Sequence, residues 1–190
     1  MAVLVEREHI AICGKMNAGK SSILNLLTQN ESSITDSTPG TTADTKIAMQ
    51  EIHGIGPVKL SDTAGIDENS PLGGKKRQKV EAVLKESDLV LLVINPDSGD
   101  FIPEQRILDK ARETGSQLIV IFNLFSRKSN SMTERVFNAV PGLKRYPSVS
   151  LSALNPNNRN TLLHTILTYY EPKNEQTALL PYVQAHEYHV

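Results

Sequence analysis

The chain has 190 residues, 39% of them apolar and 22% charged, and a net charge of −1. That length suits one well-buried core and not two ordinary domains, and the near-zero charge gives no global field to draw the protein to nucleic acid or to an anionic membrane. A single cysteine and no tryptophan exclude an internal disulfide framework and an iron–sulfur cluster held by the chain's own thiolates.

After a short lead-in, Met1–Glu8, the apolar segment His9–Cys13 reads as a strand, with Cys13 a small buried hydrophobe rather than a reactive thiol. Gly14-Lys15-Met16-Asn17-Ala18-Gly19-Lys20-Ser21-Ser22 follows and fits the phosphate-loop pattern G-x-x-x-x-G-K-S/T. Beyond it, apolar residues recur at helical spacing to about Gln29. Strand, glycine loop and helix in that order are the context the pattern needs. Gly14 and Gly19 let the backbone curl, so that successive N–H groups face a phosphate at the positive end of the helix. Asn17, Ala18, Gly19, Lys20, Ser21 and Ser22 are therefore the candidate phosphate-binding residues, with Lys20 reaching the β- and γ-phosphates and Ser21 a Mg²⁺ ligand.

Asn30–Thr45 is polar, rich in hydroxyls and without period. A loop of that length in a compact domain is usually functional. Its threonines can place a hydroxyl on Mg²⁺ when a γ-phosphate is present and release it afterwards. Lys46–Ile52 reads as an edge strand, with Ile47 and Met49 facing one way and a phase slip before Ile52. His53-Gly54-Ile55-Gly56 reads as a turn and Pro57–Ser61 as the next, antiparallel strand. At its end Asp62-Thr63-Ala64-Gly65 offers an acid to hold Mg²⁺ through water and, at Gly65, a backbone N–H for the γ-phosphate.

Ile66–Gly74 reads as a second loop, and a basic cluster from Lys75 to Lys79 opens a helix through about Glu86, its charges a solvated face. Asp88–Asn95 is a continuous apolar run and reads as a strand buried on both faces. A loop at Pro96–Asp100, a helix at Glu104–Glu113 and a buried strand at Gln117–Phe122 follow. The remaining elements are a short helix at Met132–Val140, a strand at Pro147–Leu151 and a helix at Thr161–Tyr170. That last helix carries Leu162, Leu163, Ile166, Leu167 and Tyr170 on one side. Residues 1–170 form one domain on this reading. Glu171–Val190 reads as a tail or the start of a linker, and His186 and His189 have no further metal ligands nearby. No apolar run reaches membrane-spanning length and Met1–Val5 is too short for a signal peptide, so the expected location is the cytoplasm. The alternation predicts a three-layer α/β fold: a mostly parallel six-stranded sheet with one antiparallel edge strand and the nucleotide at the carboxyl ends of the strands.

With the phosphate loop, the Pro39-Gly40-Thr41-Thr42 loop and Asp62–Gly65 in order, the chain resembles the Ras-like small-GTPase fold. It is most similar within that fold to the TrmE–Era–EngA group. Asp36–Asp44, Ile55–Asp67, Leu72-Gly73 and Val80-Glu81 resemble the GTPase domain of the hydrogenase maturation protein HydF. The resemblance implies that Thr42 ligates Mg²⁺ beside Ser21 and Asp62. It also implies that Asn17, with Asp36, Thr38 and Thr41, ligates a K⁺ near the phosphates, across which two GTPase domains meet. Lys20, Thr42 and Gly65 would then carry catalysis, and Ser152, Ala153 and Leu154 would contact the base. The implied ligands are GTP or GDP, Mg²⁺ and K⁺. The implied partners are a second copy of the domain and a protein or further domains of a parent, with nucleic acid not expected.

Two departures stand out. The base-recognition element, normally Asn-Lys-x-Asp, is Asn123-Leu124-Phe125-Ser126. The missing aspartate forms charge-assisted bonds to guanine worth about 1.5–3 kcal/mol each, and a serine hydroxyl accepts once without charge. Weaker binding and a looser guanine preference follow. The residue after Gly65 is Ile66, which cannot polarise water, so intrinsic hydrolysis should be slow. Three readings remain open on the residues alone: a slow Mg²⁺-dependent GTPase, a nucleotide-gated binding module with incidental turnover, and a phosphate-loop ATPase. The antiparallel strand pair and the Pro-Gly-Thr-Thr loop stand against the last.

Overall fold

Strands and helices alternate along the chain because apolar runs of strand length are separated by amphipathic stretches of helix length. The computed structural model describes residues 7–28, 46–63, 73–126 and 129–173. The elements are β1 (Glu8–Gly14), α1 (Lys20–Thr28), β2 (Lys46–Ile52), β3 (Gly56–Asp62), α2 (Gly73–Glu86), β4 (Leu89–Ile94), α3 (Ile102–Thr114), β5 (Gln117–Asn123), α4 (Thr133–Ala139), β6 (Ser148–Leu151) and α5 (Asn158–Tyr169), with 3-10 turns at Ser129–Met132 and Leu143–Arg145. The six strands lie in the order β2-β3-β1-β4-β5-β6. Every pairing is parallel except β2 with β3. This is the three-layer architecture expected, with the antiparallel strand at the edge.

The two faces of the sheet can be read off the alternation. Ile10 and Ile12 of β1, Leu89, Leu91 and Val93 of β4, and Ile119 and Ile121 of β5 face a core shared with Ile23 and Leu27 of α1 and Leu162 and Ile166 of α5. Ala11, Cys13, Val90, Leu92, Val120 and Phe122 point the other way, onto Leu84 of α2, Ile107, Leu108 and Ala111 of α3, and Val136 of α4. β4 is buried at every residue, as a central parallel strand covered by helices on both faces must be. Among the described residues, no helix is long and apolar enough to cross a membrane.

Three local expectations need correction. β2 has no phase slip: Ala48, Gln50 and Ile52 are buried while Ile47 and Met49 are only half-buried. The strand keeps period two, and a polar residue simply occupies an inward position. α2 begins at Gly73, not Lys75, because glycine's weak helix propensity costs little against twelve following residues, Pro- and Gly-free, that sustain the helix. On α5, Leu162, Ile166 and Tyr170 are buried but Leu167 is 43% exposed. It lies over the β2–β3 turn instead, where a side chain on Gly54 would come within 2.9 Å of it. The remaining boundaries agree to within three residues, and Glu171–Val190 lies mostly outside the described residues.

Candidate nucleotide site

The carboxyl ends of β1, β3, β4, β5 and β6 bring those sequence-predicted residues that the structure describes to one rim of the sheet. Gly14 ends β1, and a side chain there would meet the Val93 carbonyl oxygen of β4 at 2.3 Å, so the chain can leave the sheet only without one. Asn17 has φ 60°, and among the described residues it is the sole non-glycine with positive φ, a conformation asparagine tolerates better than most. Gly19 has φ +95°, and a Cβ there would lie 2.1 Å from Asn123 Nδ2. The loop is closed by Ala18 N–H donating to the Lys15 carbonyl at 3.2 Å, and Gly19 supplies the carbonyl that accepts from Ile23 N–H at 3.0 Å. α1 then starts at Lys20, and the first amides of a helix have no partner within it.

Lys20 is 7% exposed, and its ammonium donates to the Lys15 carbonyl at 2.8 Å. Burial lowers its pKa, and the nearby Asp62 charge opposes that shift. A desolvated cation at a helix N-terminus is an anion receptor. One residue further on, Ser21 Oγ donates to Asp62 Oδ2 at 2.6 Å, across 41 residues of sequence. Two hard oxygens held together beside that cation fit the donor chemistry of Mg²⁺, which retains several waters and takes few protein ligands. Thr63 is pinned behind them, its hydroxyl donating to the Ile12 carbonyl at 2.9 Å. Thr42 and Gly65, and Asp36 and Thr38 of the K⁺ set, lie outside the described residues. Cys13 beneath the loop is fully buried, and desolvation pushes its thiol up to about 12, so it is inert.

At the other end of the loop Asn123 is buried and bonded on both sides. Its Nδ2 donates to the Ala18 carbonyl at 3.0 Å, and its Oδ1 accepts from Ala153 N–H at 3.0 Å. Leu124 N–H donates to the Leu151 carbonyl at 2.8 Å, and Asn158 Nδ2 to the Ser152 carbonyl at 2.9 Å. The phosphate loop, the end of β5 and the Ser152–Leu154 segment are thus one hydrogen-bonded unit, with Ser22 and Leu154 lining a cleft of about 190 Å³ beside it.

Two features of the site were not anticipated from the sequence. Lys15 Nζ is 2.6 Å from Asp100 Oδ2, which holds that carboxyl below its usual range and ties the phosphate loop to the loop before α3. Beneath them Glu104 is completely buried, with neither carboxylate oxygen in a hydrogen bond of normal geometry. Burial pushes it up to about 7, against a weaker pull from its own backbone N–H and from Lys15. The signal was present: Glu104 sits three, four and seven residues before Ile107, Leu108 and Ala111, on the buried stripe of α3.

A glycine loop with a buried lysine at a helix N-terminus, on the rim of a parallel sheet, defines a phosphate-loop nucleotide-binding domain. Residues 9–124 match the family described as 50S ribosome-binding GTPase. The chain belongs to that family. It is 36% identical over 138 residues to the tRNA modification GTPase MnmE of Syntrophomonas wolfei, covering 72% of this chain and 29% of that protein. With MnmE of Bacillus subtilis it shares 35% identity over 184 residues, covering 95% of this chain and 38% of that protein. The chain thus spans about a third of the length of these relatives. Among solved structures, Aquifex aeolicus Era bound to GDP and AlF4− superposes with a TM-score of 0.67 at 24% identity, over 90% of this chain and 59% of that one.

Proposed function

We propose that this chain binds GTP with Mg²⁺ and hydrolyses it slowly to GDP and phosphate. The observation that supports this most strongly is the buried Lys20 ammonium beside the Ser21–Asp62 pair at 2.6 Å. Lys20 and the amides at the start of α1 would neutralise charge gathering on the phosphoryl oxygens, which is most of what such a site contributes to phosphoryl transfer. Ser21 and Thr42 would hold Mg²⁺ and Asp62 one of its waters, and the ion would supply further charge neutralisation at the phosphates. Gly65 would donate its N–H to the γ-phosphate. Ile66 offers no group to orient water, which keeps the rate low.

Asn17, bent into the left-handed region at the lip of the loop, supports a K⁺ site completed by Asp36 and Thr38, with two copies of the domain meeting across it. The motif stretches around Asp36–Asp44 and Ile55–Asp67 support a finer role as the GTPase domain of a HydF-like hydrogenase maturation factor, in the cytoplasm. The domain would occupy residues 1–170, with 171–190 leading to a tail or further parts of a parent protein. A nucleotide-gated module that acts through a protein partner is the second reading, favoured by Ile66. Ribosomal RNA is the competing partner, since a structural neighbour is Era in complex with nucleotides of 16S ribosomal RNA. Phosphate release with Mg²⁺ and GTP in KCl against NaCl tests the proposal. Slow release stimulated in KCl is expected, and release equal in the two salts would remove the role given to Asn17.

A further inference from the structure

The unit that joins Ala18, Asn123 and Ala153 adjoins the phosphate loop immediately before Lys20. Edge recognition of guanine there needs a fixed anionic acceptor. The residues that end β5 and follow β6, Asn123 to Ser126 and Ser152 to Leu154, carry no charge. Asn123 is bonded on both sides of its amide, which leaves one N–H and one lone pair, neither of them charged, for a base. What the unit does present outward is apolar surface. Phe125 is 50% exposed and Leu154 75% exposed.

The position of Phe125 is specific. Its ring edge reaches the phosphate loop, and a Cβ built on Gly19 would lie 3.5 Å from Phe125 Cζ. A side chain that long, left half in water, contributes little to the core. It does leave an exposed aromatic ring beside the phosphate loop, with Leu154 and Ser22 along a nearby cleft. Base–aromatic stacking is strong and tolerant, because every base has a π-face.

We infer that Phe125 is the nucleobase-stacking residue of this site, and that the site holds a nucleotide by the face of its base, guanine and adenine alike. This rests on the phosphate-loop reading given above and narrows it to a ligand class. The unit of Ala18, Asn123 and Ala153 serves as a rigid backing that keeps the ring in place. Affinity comes from the phosphates and the stack, and discrimination between purines is lost with the charged acceptor.

The test is competition of GDP, ADP and inorganic pyrophosphate, each with Mg²⁺, against a ribose-labelled fluorescent GDP. It uses the wild-type chain, Phe125→Ala and Phe125→Tyr. GDP and ADP should bind within about threefold of each other. Phe125→Ala should weaken both by about tenfold, the lower part of the range for one lost stack, and leave pyrophosphate unchanged, while Phe125→Tyr restores both. GDP binding a hundredfold tighter than ADP would overturn the inference, as would Phe125→Ala leaving both unchanged or weakening pyrophosphate equally. If pyrophosphate and both nucleotides fail to bind the wild type, the phosphate-loop reading fails as well. Pyrophosphate bound without any gain from either base would sink the stacking inference alone.

Discussion

Replacing Glu104 by glutamine should stabilise the protein above neutral pH. The carboxyl is fully buried and unpartnered, and the charged groups near it are Lys15 of the phosphate loop, Lys20 of α1 and Asp100 before α3. In the unfolded chain it ionises at about 4.5, and in the folded protein at about 7. The folded state therefore holds a proton that the unfolded state has released. Stability is fully present below 4.5, falls as pH rises toward 7 and levels off above it. At 1.36 kcal/mol per pH unit, the loss is about 3 kcal/mol. Glutamine keeps the volume and cannot ionise, so wild type and Glu104→Gln should be close at pH 4.5 and diverge to about 3 kcal/mol by pH 8. Urea unfolding at half-unit pH steps measures the difference directly. A constant difference across that range, or a variant less stable than wild type at pH 8, would refute the reasoning.

Asn123→Ala should cost about 2–4 kcal/mol in urea unfolding, because it strands the buried Ala18 carbonyl and Ala153 amide that its side chain satisfies. A loss under 1 kcal/mol would mean that water replaces it. His9 is buried, its Nε2 2.8 Å from Ser61 Oγ and its Nδ1 3.2 Å from the Glu86 carbonyl, and desolvation lowers its pKa. The unfolded histidine takes up a proton first, so this residue makes stability fall as pH drops below 6.5. His9→Gln, compared with wild type at each pH, should remove that part of the slope; an unchanged slope would contradict it. Gly19→Ala should abolish nucleotide binding, since its Cβ would strike Asn123 Nδ2 at 2.1 Å in a backbone with φ +95°, and wild-type affinity in a fluorescence titration would count against the loop geometry.

The parts of the site legible in the sequence are those whose chemistry is local. Gly14, Gly19, Lys20 and Ser21 form one continuous pattern, and the apolar runs of β4 and β5 can only be central strands. Asp62 was also legible, because a strand end some forty residues after the loop is where the parallel pairing of β1 with β3 must bring it. What sequence reasoning missed depends on partners distant in the chain. Asn123 was read as a base contact from its place at the end of β5; that its amide also joins Ala18 to Ala153 depends on residues far from it in the chain. The Lys15–Asp100 pair spans 85 residues and leaves no periodic trace. Gln50 and Glu104 occupy inward positions that a hydropathy pattern reads as breaks, and only the pairing of β2 and the packing of α3 restore their direction. Leu167 failed for the opposite reason: it has the right spacing but lies at the margin of α5, over the hairpin turn.

The central claim is that a buried ammonium at the start of α1 receives the phosphates of a nucleotide. Calorimetric titration of GDP with Mg²⁺ into the wild-type chain and into Lys20→Ala tests it most directly. Saturable heat with one site in the wild type and none in the variant is the predicted result. Equal heats and equal affinity in the two proteins would contradict the account.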